Sequence, residues 1–202
     1  MMQEKKLDRR AQRTRRALRE ALIALILERG YEAITVQEIT DRADLNRGTL
    51  YLHYRDKHDL LLASSNDAYN ELLAQFTPIS PDNLTLDIPE RHLIIVFQHV
   101  AANADFYRVM LGEHGVAAFL TRLRHTVTEV GLGRLLTLQK LTPTQPVPSD
   151  LIAAHAGSAI IGVIEWWLEN NMPLAPDILA RYTLALTIDG IYQTIGLDKP
   201  SQ

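Results

Sequence analysis

Apolar residues in the first third of the chain recur three and four positions apart, in blocks closed by polar stops. That is the period of helices that pack by one face. Leu18, Leu22, Leu25 and Ile26 make the first such stripe and Gly30 ends it, which predicts a helix over residues 8–28. The segment TVQE at residues 35–38 is a capping box: the Thr35 hydroxyl can take the third helical N–H while Glu38 reaches back. It opens a short helix with Val36, Ile39 and Ala43 on one face. Asp44 and Leu45 make a turn, and Asn46 caps a second short helix over residues 47–53. Leu50 and Tyr54 lie four apart and face inward together. Asp56 caps a longer helix, with Leu60, Leu61, Ala68, Leu72 and Leu73 inside it, that ends near Phe76.

Pro78, Pro81 and Pro89 bracket a loop over residues 77–88. Helical patterns follow over residues 89–103, 105–111 and 116–139, then a Pro-rich break, TPTQPVPSD, at 142–150. Two more helices are predicted over 150–170 and 176–195, with Pro176 at a first helical position and Gly196 as a C-cap. No strand, repeat or low-complexity segment interrupts them. The chain reads as all-α: a three-helix unit over residues 1–57, then a larger helical unit over 58–202, with the helix from about 57 connecting the two.

Charge changes the picture. The 202 residues carry a formal net charge of −3, yet residues 1–57 hold 13 Lys and Arg against 9 Asp and Glu. Residues 58–202 hold 8 against 15. A basic front and an acidic remainder point to a polyanionic partner for the first unit alone. Arg9, Arg10, Arg13, Arg15, Arg16 and Arg19 crowd the early turns of the first helix, a solvated face suited to long-range attraction. The absence of cysteine leaves no disulfide or thiolate site and fits a reducing compartment. The N-terminus lacks a signal-peptide pattern, and no apolar run approaches the roughly 18 residues of a membrane span, so a cytoplasmic protein without membrane contact is expected.

Two short helices across a tight turn, braced by a first helix, make a helix-turn-helix, whose second helix reads a DNA major groove. This accounts for the polar middle of RADLNRGTLYLHYRDKHDLLL, residues 42–62. Arg47 stands at the helix start, where it can pair with a guanine edge. Gly48 lets the backbone approach, and Thr49 can meet a base edge or a thymine methyl. Tyr51, His53 and Lys57 offer donors to phosphates. Lys57 and Thr35 also sit at helix N-termini, which attract anions.

Residues 9–62 resemble the DNA-binding domain of the TetR family of bacterial transcriptional regulators. Gly30, Thr35, Val36, Ile39, Ala43, Gly48, Leu50, Tyr51, His53, Tyr54, Lys57 and Leu60 carry the resemblance. Asp44 stands where the family has a turn glycine, Asn46 replaces a common serine, and Leu52 replaces a polar or aromatic phosphate contact, so Leu52 receives no DNA role. The resemblance implies a homodimer on a palindromic operator in double-stranded DNA, most simply a repressor. It also implies a larger domain that senses a small-molecule effector of unknown identity and changes the spacing of the two reading heads. Within the same resemblance, a coactivator or interaction module acting through a protein partner is the alternative.

Residues 156–180 resemble the penultimate helix and following turn of one branch of the family, which implies a dimer interface built from the last two helices. Ala153, Ala156, Gly157, Ala159, Ile160, Val163, Ile164 and Trp167 are its candidates, small residues allowing close approach and larger ones filling the seam. An effector pocket between the middle helices would draw on Phe97, Phe106, Tyr107, Met110, Phe119 and Trp166, with His99, His114 and Glu165 as polar contacts. No His pair has i, i+4 spacing, His92 and His99 lack a third ligand, and no Walker, G-x-S-x-G or G-x-G-x-x-G motif is present. No metal, cofactor or catalytic role is expected.

Overall fold

The computed structural model describes residues 2–76, 88–112, 119–121, 123–125, 127–129 and 147–194. Every regular element among the described residues is an α-helix: α1 (Met2–Arg29), α2 (Val36–Arg42), α3 (Arg47–Tyr51), α4 (Lys57–Leu73), α5 (Ile88–Ala102) and α6 (Ala104–Leu111). Helical residues 119–121, 123–125 and 127–129 are together α7, followed by α8 (Ser149–Glu169) and α9 (Pro176–Thr194). Where both ends of an expected helix are described, the bounds match the sequence reading to within a few residues, except that α1 starts earlier. Residues 77–87 of the expected loop at 77–88, residues 116–118 and 130–139 of the expected helix at 116–139, most of the Pro-rich break and Gly196 lie outside the described residues.

The stops are made as the sequence dictates. Gly30 takes φ 78° and donates its amide to the Ile26 carbonyl at 2.8 Å, a left-handed close that glycine adopts without Cβ strain. Asp44 supplies the left-handed turn residue after α2 with φ 53°. This conformation is accessible to Asp, whose short polar side chain tolerates it. Asn46 caps α3 by accepting the Gly48 amide at 2.8 Å, and Asp56 caps α4 by accepting that of Asp59 at 2.8 Å.

The capping box of α2 is complete. Glu38 accepts from both the Thr35 amide and the Thr35 hydroxyl at 2.8 Å, and from Arg29 Nη1 at 2.8 Å. These donors, the Thr35 hydroxyl first, hold the Glu38 carboxyl down to about 2.

One continuous core runs through the molecule. Leu18, Leu22, Ile39, Leu50 and Leu60 are fully buried, and each apolar side chain so buried contributes about 1.5–3 kcal/mol. The same cluster continues through Leu93, Phe97, Phe106, Tyr107, Met110 and Trp167, crossing the boundary expected after residue 57. Gly157 lets α8 meet α7: a Cβ there would lie 2.8 Å from Thr128 Oγ1.

Helix α8 corrects two expectations. By length and composition it is apolar enough to cross a bilayer, which the search for apolar runs missed. Ile152, Ile161 and Leu168 are nevertheless buried inside the fold, as in a core helix. Ala153, Gly157, Ile164 and Trp167 are buried too, so they belong to the protomer's core and not to a face between protomers. Trp167 packs edge-on against Phe97 at 5.7 Å, and its Nε1 donates to the Leu174 carbonyl at 2.9 Å. Ala156, Ile160 and Val163 stay partly exposed.

Two predictions follow from this packing. Trp167→Ala leaves a cavity and an unpaired carbonyl and destabilises the fold by about 3–5 kcal/mol in equilibrium denaturation; a cost below about 1 kcal/mol would contradict a core position. Glu38, held below its ordinary value, stabilises the folded state fully above about pH 4.5 and loses that contribution as pH falls toward 2. The denaturation midpoints of the wild type and Glu38→Gln therefore converge over that window; a gap unchanged down to pH 2 would contradict the cap.

Candidate nucleic-acid interface

The second short helix is mounted by two inward side chains. Leu50 is fully buried and Tyr54 is buried at its C-terminal end, whose amide returns to the Leu50 carbonyl at 2.8 Å. Everything else on α3 is then fixed in direction. Arg47, Gly48 and Tyr51 are exposed, and Thr49 and His53 are half-buried. The expected base-reading and phosphate-binding residues, apart from Thr35 and Lys57, therefore lie on α3 and the turn that follows it.

Arg47 does not wave freely. Its Nε and Nη2 donate to Tyr51 Oη at 3.3 and 3.0 Å, and its guanidinium carbon sits 5.5 Å from the Tyr51 ring centre. At Gly48 a Cβ would meet only Asn46 Oδ1, at the ordinary contact distance of 3.4 Å. Nothing inside the protomer demands glycine there. Leu52, at the end of α3, is 82% exposed.

Two expected phosphate donors are already engaged. The Thr35 hydroxyl gives its hydrogen to Glu38, so the donors left at the start of α2 are backbone amides. Lys57 Nζ donates to the carbonyls of Tyr31 and Ile34, both at 2.9 Å, and lies 4.5 Å over the Tyr31 ring. One of its three N–H donors is left over. Lys57 thus ties the α1–α2 turn to the start of α4, a role no local spacing signals because its partners are 23 and 26 residues away.

The arginine run on α1 divides. Arg10, Arg13, Arg15 and Arg16 face solvent. Arg16 pairs with Glu20 at 2.7 Å, an exposed contact of little energetic weight. Arg19 turns inward: it lies 3.6 Å from Glu71 on α4, 3.4 Å from Asn103 Oδ1, and 4.8 Å over the Phe106 ring of α6. It borders a cleft of about 980 Å³ between α1, α4 and the α5–α6 corner, whose walls include Arg15, Asp67 and Glu71. Sequence reasoning missed this cleft, because it forms where four separate helices meet.

The residues expected to line an effector pocket divide between the core and the surface. Phe97, Tyr107 and Met110 are buried together in the core. His114 lies outside the described residues. Trp166 is corrected: it is 46% exposed and faces away from the core that its neighbour Trp167 enters. His99 is buried, edge-on to Tyr107 at 5.9 Å, and its Nδ1 lies 3.2 Å from Gln75 Nε2. Gln75 donates there, so Nδ1 accepts and the ring proton sits on Nε2. Nε2 is itself buried with no hydrogen-bond partner. Burial pushes the His99 imidazole below its ordinary value, and burial pushes the Tyr107 phenol up.

Comparison with known proteins gives the same picture from outside. Residues 18–64 match the family described as bacterial regulatory proteins of the tetR family, and residues 87–189 match the family described as transcriptional regulator C-terminal region. The HTH-type transcriptional regulator YxbF of Bacillus subtilis is 27% identical over 180 residues; these are 88% of this chain but 45% of that protein, so the chain spans under half its length. The fatty acid metabolism regulator protein of the same species is 21% identical over 189 residues, covering 86% of this chain and 93% of its own. A solved TetR transcriptional regulator from Streptococcus agalactiae is 26% identical, with a TM-score of 0.63 over 91% of this chain and 98% of that one. With both of its units matched, the chain belongs to the TetR family of bacterial regulatory proteins, DNA-binding regulators of transcription.

Proposed function

We propose that the chain is a ligand-responsive repressor that binds a palindromic operator as a homodimer, inserting one α3 into each of two successive major grooves. The observation that carries this reading is the mounting of α3: Leu50 on α3 and Tyr54 just after it are buried, while Arg47 and Tyr51 on α3 stand exposed. Arg47 and Thr49 read base edges, with Gly48 allowing the close approach. Tyr51, His53 and the remaining donor of Lys57 hold phosphates, aided by backbone amides beside Thr35. Solvent-facing arginines of α1 add long-range attraction.

The second copy packs against α8 and α9. Leu151 and Trp166 on α8, and Tyr182 and Leu186 on α9, are exposed at 59%, 46%, 56% and 81%. Large apolar side chains grouped on two helices support a covered face. Gly162, between them on α8, has open space around it, which admits a close helix. Ala156, Ile160 and Val163 flank this face.

The effector enters near Phe97, Tyr107 and Met110, with His99 Nε2–H as the polar anchor. A buried donor without a partner costs about 1–3 kcal/mol, which a ligand acceptor would recover. The name of the Bacillus subtilis fatty acid metabolism regulator supports an effector with a long apolar part and a hydrogen-bond acceptor at one end.

Fluorescence anisotropy on duplexes from the chain's own genomic neighbourhood tests the DNA reading. Affinity should fall by about 10³-fold or more between 50 and 200 mM salt. Arg47→Ala should lose roughly 1–3 kcal/mol of discrimination at one base pair per half-site. Salt-insensitive binding, or none, would refute it. Sedimentation tests the dimer: the wild type should be dimeric, while Trp166→Glu and Leu186→Glu should be monomeric with unchanged helicity. A monomeric wild type would exclude the arrangement.

A further inference from the structure

Resting on the DNA-binding reading above, we infer that Tyr51 is the positioning residue for Arg47, and that Arg47 meets guanine with the Nη1–Nη2 end of its fork. The geometry is specific about which donors are taken. Nε–H and one N–H of Nη2 converge on Tyr51 Oη at 3.3 and 3.0 Å. Tyr51 stands four residues on, one turn along the same face of α3. Its ring lies close to the guanidinium, 5.5 Å from ring centre to Cζ.

That side of the fork is therefore filled before DNA arrives. Three N–H donors remain, two on Nη1 and one on Nη2. One from each Nη points outward along the end of the fork, a parallel pair that suits guanine O6 and N7. An exposed arginine without such a support would surrender rotamer freedom on binding; here the phenol has already fixed it.

Tyr51 keeps a function of its own in this arrangement. Its oxygen accepts from Arg47, which leaves its O–H free to donate to a phosphate oxygen. Backbone contact and base reading are then linked through one hydroxyl, in the order phosphate, Tyr51, Arg47, guanine. A phosphate contact alone would not make Tyr51 matter for which base is read.

The test uses the full chain and a duplex of about 30 base pairs, long enough for two half-sites, that the wild type has selected from a randomised pool. Anisotropy at fixed salt then compares this duplex with a scrambled one and with a panel in which each G·C pair is changed in turn to A·T. A wild type that prefers no duplex over the scrambled one fails the DNA-binding reading itself and takes this inference with it. Given that preference, Arg47→Ala identifies the pair that Arg47 reads, as the one whose change no longer matters. Tyr51→Phe should lose about tenfold in discrimination at that same pair while discrimination at the other pairs stays at the wild-type level. In the Arg47→Ala background, Tyr51→Phe should cause no further loss of discrimination. The inference is overturned if Tyr51→Phe weakens the selected duplex and its substituted forms by one common factor, or if Arg47→Ala leaves discrimination intact at every pair. Tyr51 is 47% exposed and the change removes one oxygen, so thermal melting should match the wild type and separate a lost contact from a lost fold.

Discussion

The apolar flank of α1 leaves water against three partners at once, and the placement of the exposed side chains of α3 follows from that burial. Leu18, Leu22, Leu25 and Ile26 are each no more than 4% exposed. They help to enclose Ile39 of α2, Leu50 of α3 and Leu60 of α4 in one cluster. Helices of 7 and 5 residues, such as α2 and α3, are too short to hold their shape alone. They persist because their few inward residues complete that cluster and because Thr35, Glu38 and Asn46 satisfy their open ends. Lys57 closes the assembly by holding the Tyr31 and Ile34 carbonyls from the start of α4. On its other side α1 reaches α6, where Arg19 covers Phe106. The helix-turn-helix and the larger unit are thus fastened to one helix.

Much of this was legible in the sequence because it is local. A capping box, an Asp in a left-handed turn and a Leu50–Tyr54 pair four apart each declare themselves within a few residues. What could not be read is long-range or depends on a face. The adjacent Trp166 and Trp167 show the difficulty. They lie about 100° apart around the helix, and here Trp167 turns in while Trp166 turns out. Helix α8 is apolar on nearly all sides, so periodicity gave no choice between them; the packing of Phe97 against Trp167 made it. The engagement of Thr35 with Glu38 is legible as a cap, and the same bond takes the hydroxyl hydrogen that a phosphate would otherwise accept. For Lys57 the partners are distant carbonyls, which leave no trace in side-chain spacing.

The two halves of the molecule treat polar groups differently. At α3 they stand in solvent, prearranged and without a structural use, as in Arg47 and Tyr51. In the core nearly all are spent: Ser64, Ser65 and Thr183 return their hydroxyls to carbonyls one turn back. His99 Nε2 is the exception among the described residues. Unused polar capacity is where a folded chain keeps its means of recognition, because satisfied groups have nothing left to offer.

The most direct test of a major-groove reading helix is methylation interference on the selected duplex. Dimethyl sulfate marks guanine N7 in the major groove and adenine N3 in the minor groove. The account predicts that modified N7 positions block binding in two symmetric patches about one helical turn apart, roughly 34–36 Å, with adenine N3 positions outside them tolerated. Interference confined to adenine N3, or a single unrepeated patch, would contradict both the mode of reading and the pairing of chains.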